Sequence, residues 1–224
     1  MAPVLIFGAG SGVGLSLAQQ LRQDGVPVFA MLRSPAAEST LAALSVRTVA
    51  GDAFSAADID RAFALAGTQD LDVVSTVGGR TADGRWADEV GNVNIADRAA
   101  AHGVRRFVLI TSIGCGDMAP FRSARAITAF GAAVDAKTRA EEHLRHKLPL
   151  ATIIRPGGLR SVPATGHGIL SDDPEIHGFI HRADVADLIR RTLDDPATKG
   201  RTFAAVDADQ AQCANPIRPF PLRR

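Results

Sequence analysis

Seven residues near the start of the chain, Gly8-Ala9-Gly10-Ser11-Gly12-Val13-Gly14, constrain it more than any others. They follow the apolar run Val4-Leu5-Ile6-Phe7 directly and lead into a helical stretch from Leu15 to Leu21. A strand that turns on glycines into a helix leaves the first helical N–H groups unpaired, with partial positive charge. Without Cβ atoms in the way, an anion can approach that backbone closely. The expected occupant is the pyrophosphate of a dinucleotide, cradled by Gly8, Gly10, Ser11, Gly12, Val13 and Gly14. A Gly-x-Gly-x-x-Gly reading fails because Val13 stands at its third glycine.

The rest of the chain repeats the strand-then-helix theme. Short β-rich runs fall at 4–7, 26–32, 46–50, 71–77, 107–111, 151–154 and 202–206. Helical patterns fall at 13–23, 36–44, 56–65, 88–102, 132–146 and 183–193, with Ser55 and Asp58 spaced as a capping box. Right-handed crossovers then predict an α/β fold: one doubly wound parallel sheet, covered on both faces, in a single domain over residues 1–207. Two irregular stretches, 114–125 and 156–176, follow strands five and six, at the sheet edge where open α/β sheets bind ligands. They are the expected substrate loops. Residues 208–224, with three of the chain's prolines, are expected to form an extended tail.

Composition narrows the function. A formal net charge of +1 over 224 residues gives no broad attraction to nucleic acid or membrane, and neither is expected as a partner. No apolar run is long enough to span a bilayer, and the first strand starts too early for a signal peptide, so a cytoplasmic location is expected. Cys115 and Cys213 are too few for a disulfide framework, and no metal site is predicted. The chain holds no tyrosine, and lysine occurs only at 137, 147 and 199. Any mechanism that needs a tyrosine acid is excluded.

Candidate site residues lie at the ends of the strands. Arg33 with Ser34 offers a planar cation and a hydroxyl where an NAD-specific site would place a carboxylate. That favours NADP(H) over NAD(H), against the plain alternative of a solvated arginine. Asp52 either accepts from the adenine amino group, with Ala53 and Phe54 flanking the base, or caps the next helix. Thr76, Val77, Gly78 and Gly79 permit close approach of the ribose or nicotinamide, or form a plain turn. Among weaker candidates, His143 and His146 beside Glu141 and Glu142 read as a solvated helix face. Cys115 reads as a small core thiol. One of His167, His177 or His181 could serve as a proton donor.

These stretches, in this order, resemble the atypical short-chain dehydrogenase/reductase superfamily. Gly8, Gly12 and Gly14 keep its Gly-x-x-x-Gly-x-Gly spacing. Further matches are Leu32-Arg33, Gly51-Asp52, Gly91-Asn92-Val93-Asn94, Arg106-Phe107-Val108 with Thr111-Ser112-Ile113-Gly114, Arg155-Pro156-Gly157-Gly158 and Arg182-Ala183-Asp184-Val185-Ala186. Within the superfamily the chain is most similar to the NAD(P)H-binding, NmrA-like group that includes the biliverdin-IXβ/flavin reductases. The resemblance implies a Rossmann fold with Thr111 and Ser112 beside the nicotinamide, Pro156, Gly157, Gly158 and Leu159 lining it, and Ser112 orienting the substrate. It places Lys137 at the family's lysine, as a ribose ligand or a surface residue, and Ala133 where its tyrosine would stand. The implied function is NADPH-dependent hydride transfer to a small planar or conjugated substrate, whose delocalised charge dispenses with the tyrosine acid, by a monomer or homodimer. The alternative is an NADP(H)-sensing regulatory protein without turnover.

Overall fold

The computed structural model describes residues 1–67, 70–161 and 163–223. Val162, in the second expected substrate loop, and Arg224, at the tip of the expected tail, lie outside the described residues. Eight strands form one sheet in the order β3-β2-β1-β4-β5-β6-β10-β8. They are β1 (Val4–Phe7), β2 (Val28–Leu32), β3 (Arg47–Ala50), β4 (Asp72–Ser75), β5 (Arg106–Ile110), β6 (Thr152–Pro156), β8 (Gly168–Ser171) and β10 (Thr202–Asp207). All pairings are parallel except β10 with β8. This is the Rossmann arrangement expected from the sequence, with its strand order reversing between β1 and β4.

The central strands are mostly apolar because both faces are covered, whereas the edge strand β3, Arg-Thr-Val-Ala, is the more exposed. Val4 and Ile6 of β1 pack on one side with α1 (Gly12–Gln23) and α6 (Arg182–Asp194), through Leu17, Leu21, Val185 and Ile189. Leu5 and Phe7 point the other way, onto α3 (Ala56–Ala66), α4 (Asn92–His102) and α5 (Ala124–Lys147), through Ile59, Phe63, Ile95 and Leu144. A short helix, α2 (Glu38–Ala43), buries only Leu41.

The structure departs from the sequence reading in several places. Gly158–Arg160 and Phe179–His181 form a separate parallel ribbon, β7 with β9. β7 and β8 fall within the stretch 156–176 read as loop, and β9 follows it, before the expected helix at 183. Helix α5 starts at Ala124, eight residues before the expected 132, with Ser123 accepting from Ala126 N. The expected helix at 88–102 is a π-helical turn, Ala87–Gly91, followed by α4. Ser55 does cap α3, accepting from Asp58 N at 3.2 Å, but Asp58 accepts from Asp52 N at 2.9 Å rather than closing a capping box. Past β10 the chain lies over the sheet. Gln212 pairs with His177, Phe220 N donates to Leu170 O of β8 at 2.7 Å, and the Phe220 ring packs on Phe203, centroids 4.7 Å apart.

Candidate functional site

Since β1 to β6 are parallel, their C-terminal ends share one edge of the sheet, and the predicted residues gather there. At the end of β1 the backbone turns within contact of the end of β4. A Cβ on Gly8 would strike Thr76 Oγ1, and one on Gly14 would come within 2.8 Å of both the Gly8 carbonyl carbon and Thr76 Oγ1. Thr76 reinforces this contact by donating to Gly8 O at 3.2 Å. Gly8 and Gly14 therefore let helix and strand close on each other, leaving Gly10 and Gly12 with more open surroundings. Ser11 precedes α1 without any side-chain cap, and no acid sits in the helix's first turn. Its leading N–H groups are free for an anion, which fits a pyrophosphate.

Arg33 is exposed at the end of β2 and has no ion-pair or hydrogen-bond partner among the described residues. Leu32 and Ala37 lie 3.7 and 3.6 Å from where a Cβ on Gly10 would stand, which brings Arg33 beside the glycine turn. Ser34 Oγ is engaged, accepting from Ala36 N at 3.3 Å to cap the turn Pro35–Ala37. Asp52 is not the helix cap. Its Oδ1 accepts from Phe54 N at 2.9 Å within its own turn, and Oδ2 has no hydrogen-bond partner among the described residues. Ala53 is buried against Gly91, and Phe54 carries the Arg85 guanidinium 4.4 Å above its ring.

At the end of β4, Gly78 and Gly79 fold around a buried carboxylate from the π-helical turn. Asp88 Oδ2 accepts from Gly79 N at 2.7 Å, and its Oδ1 pairs with Lys137 Nζ from α5. Val77 O accepts from Asn92 Nδ2, whose Oδ1 takes the Ser75 hydroxyl. Lys137 is thus held against the Gly78-Gly79 turn with its side chain 20% exposed, short of free solvent. A purely surface lysine is the wrong description of it.

Beyond β5 the pairing with β6 continues, Thr111 N to Ile154 O at 2.9 Å and Ile113 N to Pro156 O at 3.0 Å. Between them Ser112 is half-buried, and its hydroxyl has no partner among the described residues. The Thr111 hydroxyl is committed elsewhere, donating to Glu141 Oε1 at 2.6 Å. Glu141 is fully buried, with Arg155 Nη2 donating to its Oε2 at 2.7 Å. The solvated face expected of Glu141 is therefore a correction: this acid anchors α5 to β6. His143 reaches Asp97 of α4 at 2.8 Å, while His146 is exposed. Cys115 is buried, its thiol pushed up to about 11 by burial and then by the Glu141 charge, as suits a core thiol. Gly157 and Gly158 pack under Gly178 and the Phe179 ring, and Leu159 is partly exposed on β7.

Of the three loop histidines, His181 is buried and bonded to Pro163 O at 2.6 Å, which removes it as a ready donor. His167 is held by Asp209, whose hydrogen bond and charge raise its pKa. His177 is exposed against Glu175 O. The sequence reading gives no role of their own to Asp88, Asn92 and Arg182, and it puts Glu141 on a solvated face. Asn92 and Arg182 sit inside motifs already singled out, whereas nothing local marks Asp88 or Glu141.

The model of the family described as NAD(P)H-binding matches residues 8–196. Among solved structures, the chain is similar to ChuY, an anaerobillin reductase from Escherichia coli O157:H7, at 37% identity. The match covers 93% of this chain and 98% of that one, with a TM-score of 0.85. The chuY protein of E. coli strain CFT073 matches at 36% identity over the same shares, with a TM-score of 0.82. Among curated proteins, the uncharacterized sugar epimerase YhfK of Bacillus subtilis (strain 168) is 28% identical over 210 residues, covering 92% of this chain and 94% of its own length.

Proposed function

This chain belongs to the NAD(P)H-binding family, and from that we propose that it is an NADPH-dependent reductase acting on a small, planar, conjugated substrate. One observation carries the reading. The Ser112 hydroxyl stands unpaired at the end of β5, while the helix that carries Lys137 has Ala133, not a proton donor, one turn before it. When bound, the nicotinamide supplies hydride. The protein's own residues bind and orient: the glycine turn takes the pyrophosphate, Arg33 the 2′-phosphate, and Asp52 Oδ2 the adenine amino group. The Asp88-paired Lys137 takes the ribose hydroxyls, and Ser112 donates to a polar atom of the acceptor.

A saturated ketone becomes an alkoxide on reduction and needs an acid beside it. A conjugated acceptor spreads the added charge, so solvent can deliver the proton. ChuY, described as an anaerobillin reductase, supports an acceptor of that conjugated kind here. The likeness to YhfK raises sugar epimerisation as a second reading, and Ala133 weighs against it, since oxidising a sugar hydroxyl needs a base at that place. The test is NADPH consumption by the purified protein with anaerobillin, biliverdin, flavin and quinone acceptors, beside unconjugated ketones. Turnover confined to the conjugated set is expected. Rapid reduction of an unconjugated ketone, or no turnover with any acceptor, would overturn the reading, the second result favouring the cofactor-sensing role.

A further inference from the structure

We propose that Arg182 is the side chain that holds the cofactor's pyrophosphate onto the glycine turn, and that Ser161 aims it. This assignment rests on the cofactor reading above. Arg182 is the first residue of α6, the helix packed along α1. Its Cδ and Nε each lie 3.5 Å from where a Cβ on Gly12 would sit, so the side chain lies against the start of α1. Arg182 Nη1 donates to Ser161 Oγ at 2.6 Å, and no carboxylate among the described residues pairs with the guanidinium. The acid in the first turn of α6, Asp184, is occupied by the loop before β8, accepting from Thr165 N at 3.0 Å and Gly166 N at 2.9 Å.

An unneutralised cation therefore sits beside a helix start that itself carries partial positive charge. The two repel weakly in the free protein, and an anion between them turns the arrangement into mutual attraction. A pyrophosphate offers the charge and the several acceptor oxygens that a fork-shaped guanidinium takes. Gly12, at φ +56, holds a backbone conformation that side chains rarely adopt, and Arg182 lies in contact range of where its Cβ would stand. Ser161 follows the exposed ribbon strand β7, so the grip on the cofactor shares a hydrogen bond with the segment expected to face the substrate.

The test measures NADPH binding to the unmutated protein, Arg182→Ala, Arg182→Lys and Ser161→Ala, at low and moderate salt. Adenosine 2′-monophosphate, which lacks the pyrophosphate, is the control ligand, and ligand-free melting temperatures are recorded. Arg182→Ala should weaken NADPH about tenfold or more and flatten its salt dependence, with adenosine 2′-monophosphate affinity unchanged. Arg182→Lys should recover part of the loss, since it keeps the charge without the fork, and Ser161→Ala should lose roughly two- to threefold. Unaltered NADPH binding in Arg182→Ala overturns the assignment, and so does equal weakening of both ligands, which would mark a structural role. If the unmutated protein binds no NADPH, the cofactor reading falls, and this assignment with it.

Discussion

Single side chains decide the selectivity proposed for this protein. Arg33 reaches solvent with its charge uncommitted, so its loss should cost little stability and much discrimination. Arg33→Ala is expected to erase about 2 kcal/mol of preference for NADPH over NADH while leaving NADH affinity nearly unchanged, as titration of both cofactors would show. Equal affinities in the unmutated protein would refute the 2′-phosphate role. Ser112→Ala removes one orienting hydrogen bond and should slow turnover about tenfold, on the order of 1–1.5 kcal/mol, with no shift in melting temperature. A loss of a thousandfold would mean that the hydroxyl does more than orient. Cys115, buried and with its thiol near 11, should resist iodoacetamide at neutral pH in the folded protein, while the half-exposed Cys213 reacts slowly. Mass mapping of the alkylated native protein checks this.

At the scale of elements, the glycine turn divides its labour. Gly14 serves the contact of α1 with the end of β1, and Gly12 serves the open mouth. Gly14→Ala should therefore destabilise the fold by about 2 kcal/mol, read by denaturant unfolding. Gly12→Val should abolish binding of both cofactors together at a smaller stability cost, although its positive φ strains any branched residue. Retained cofactor binding in Gly12→Val would move the dinucleotide site elsewhere. Legibility followed burial. The strands β1, β2 and β5 could be read because both faces are covered and their apolar runs are unbroken. The first turns of α5 could not, because Ile127 and Phe130 are 51% and 66% exposed and no buried stripe marks the period. β8 was hidden in a proline-rich stretch, where its partner β10 lies far along the chain. In the site, Gly8 to Gly14, Arg33 and Ser112 have local motifs. The Asp88–Lys137 pair spans 49 positions and exists only after folding.

Over the whole molecule, the sheet is held from bottom to top by buried charges as well as by its two apolar layers. Arg106 at the start of β5 donates to Thr198 Oγ1 at 2.7 Å and to Thr192 O at 3.0 Å, and Arg155 with Glu141 does the same work near the site. No helix among the described residues is long and apolar enough to cross a membrane. The chain after β10 contributes to the same packing. Phe220→Ala should lower stability by about 2 kcal/mol, a loss of several degrees in melting temperature, because it strips an aromatic from the Phe203 and Arg201 stack. An unchanged melting temperature would show that the segment lies on the sheet without supporting it. The bond from Phe220 to the Leu170 carbonyl has a consequence in solution behaviour. One flank of β8 is paired with β10, and this bond occupies a carbonyl of β8 that the pairing leaves over. A protein shortened to residue 211 would present a bare strand margin, and such margins recruit strands from other molecules. Its light scattering should then rise with concentration, where the full chain stays constant.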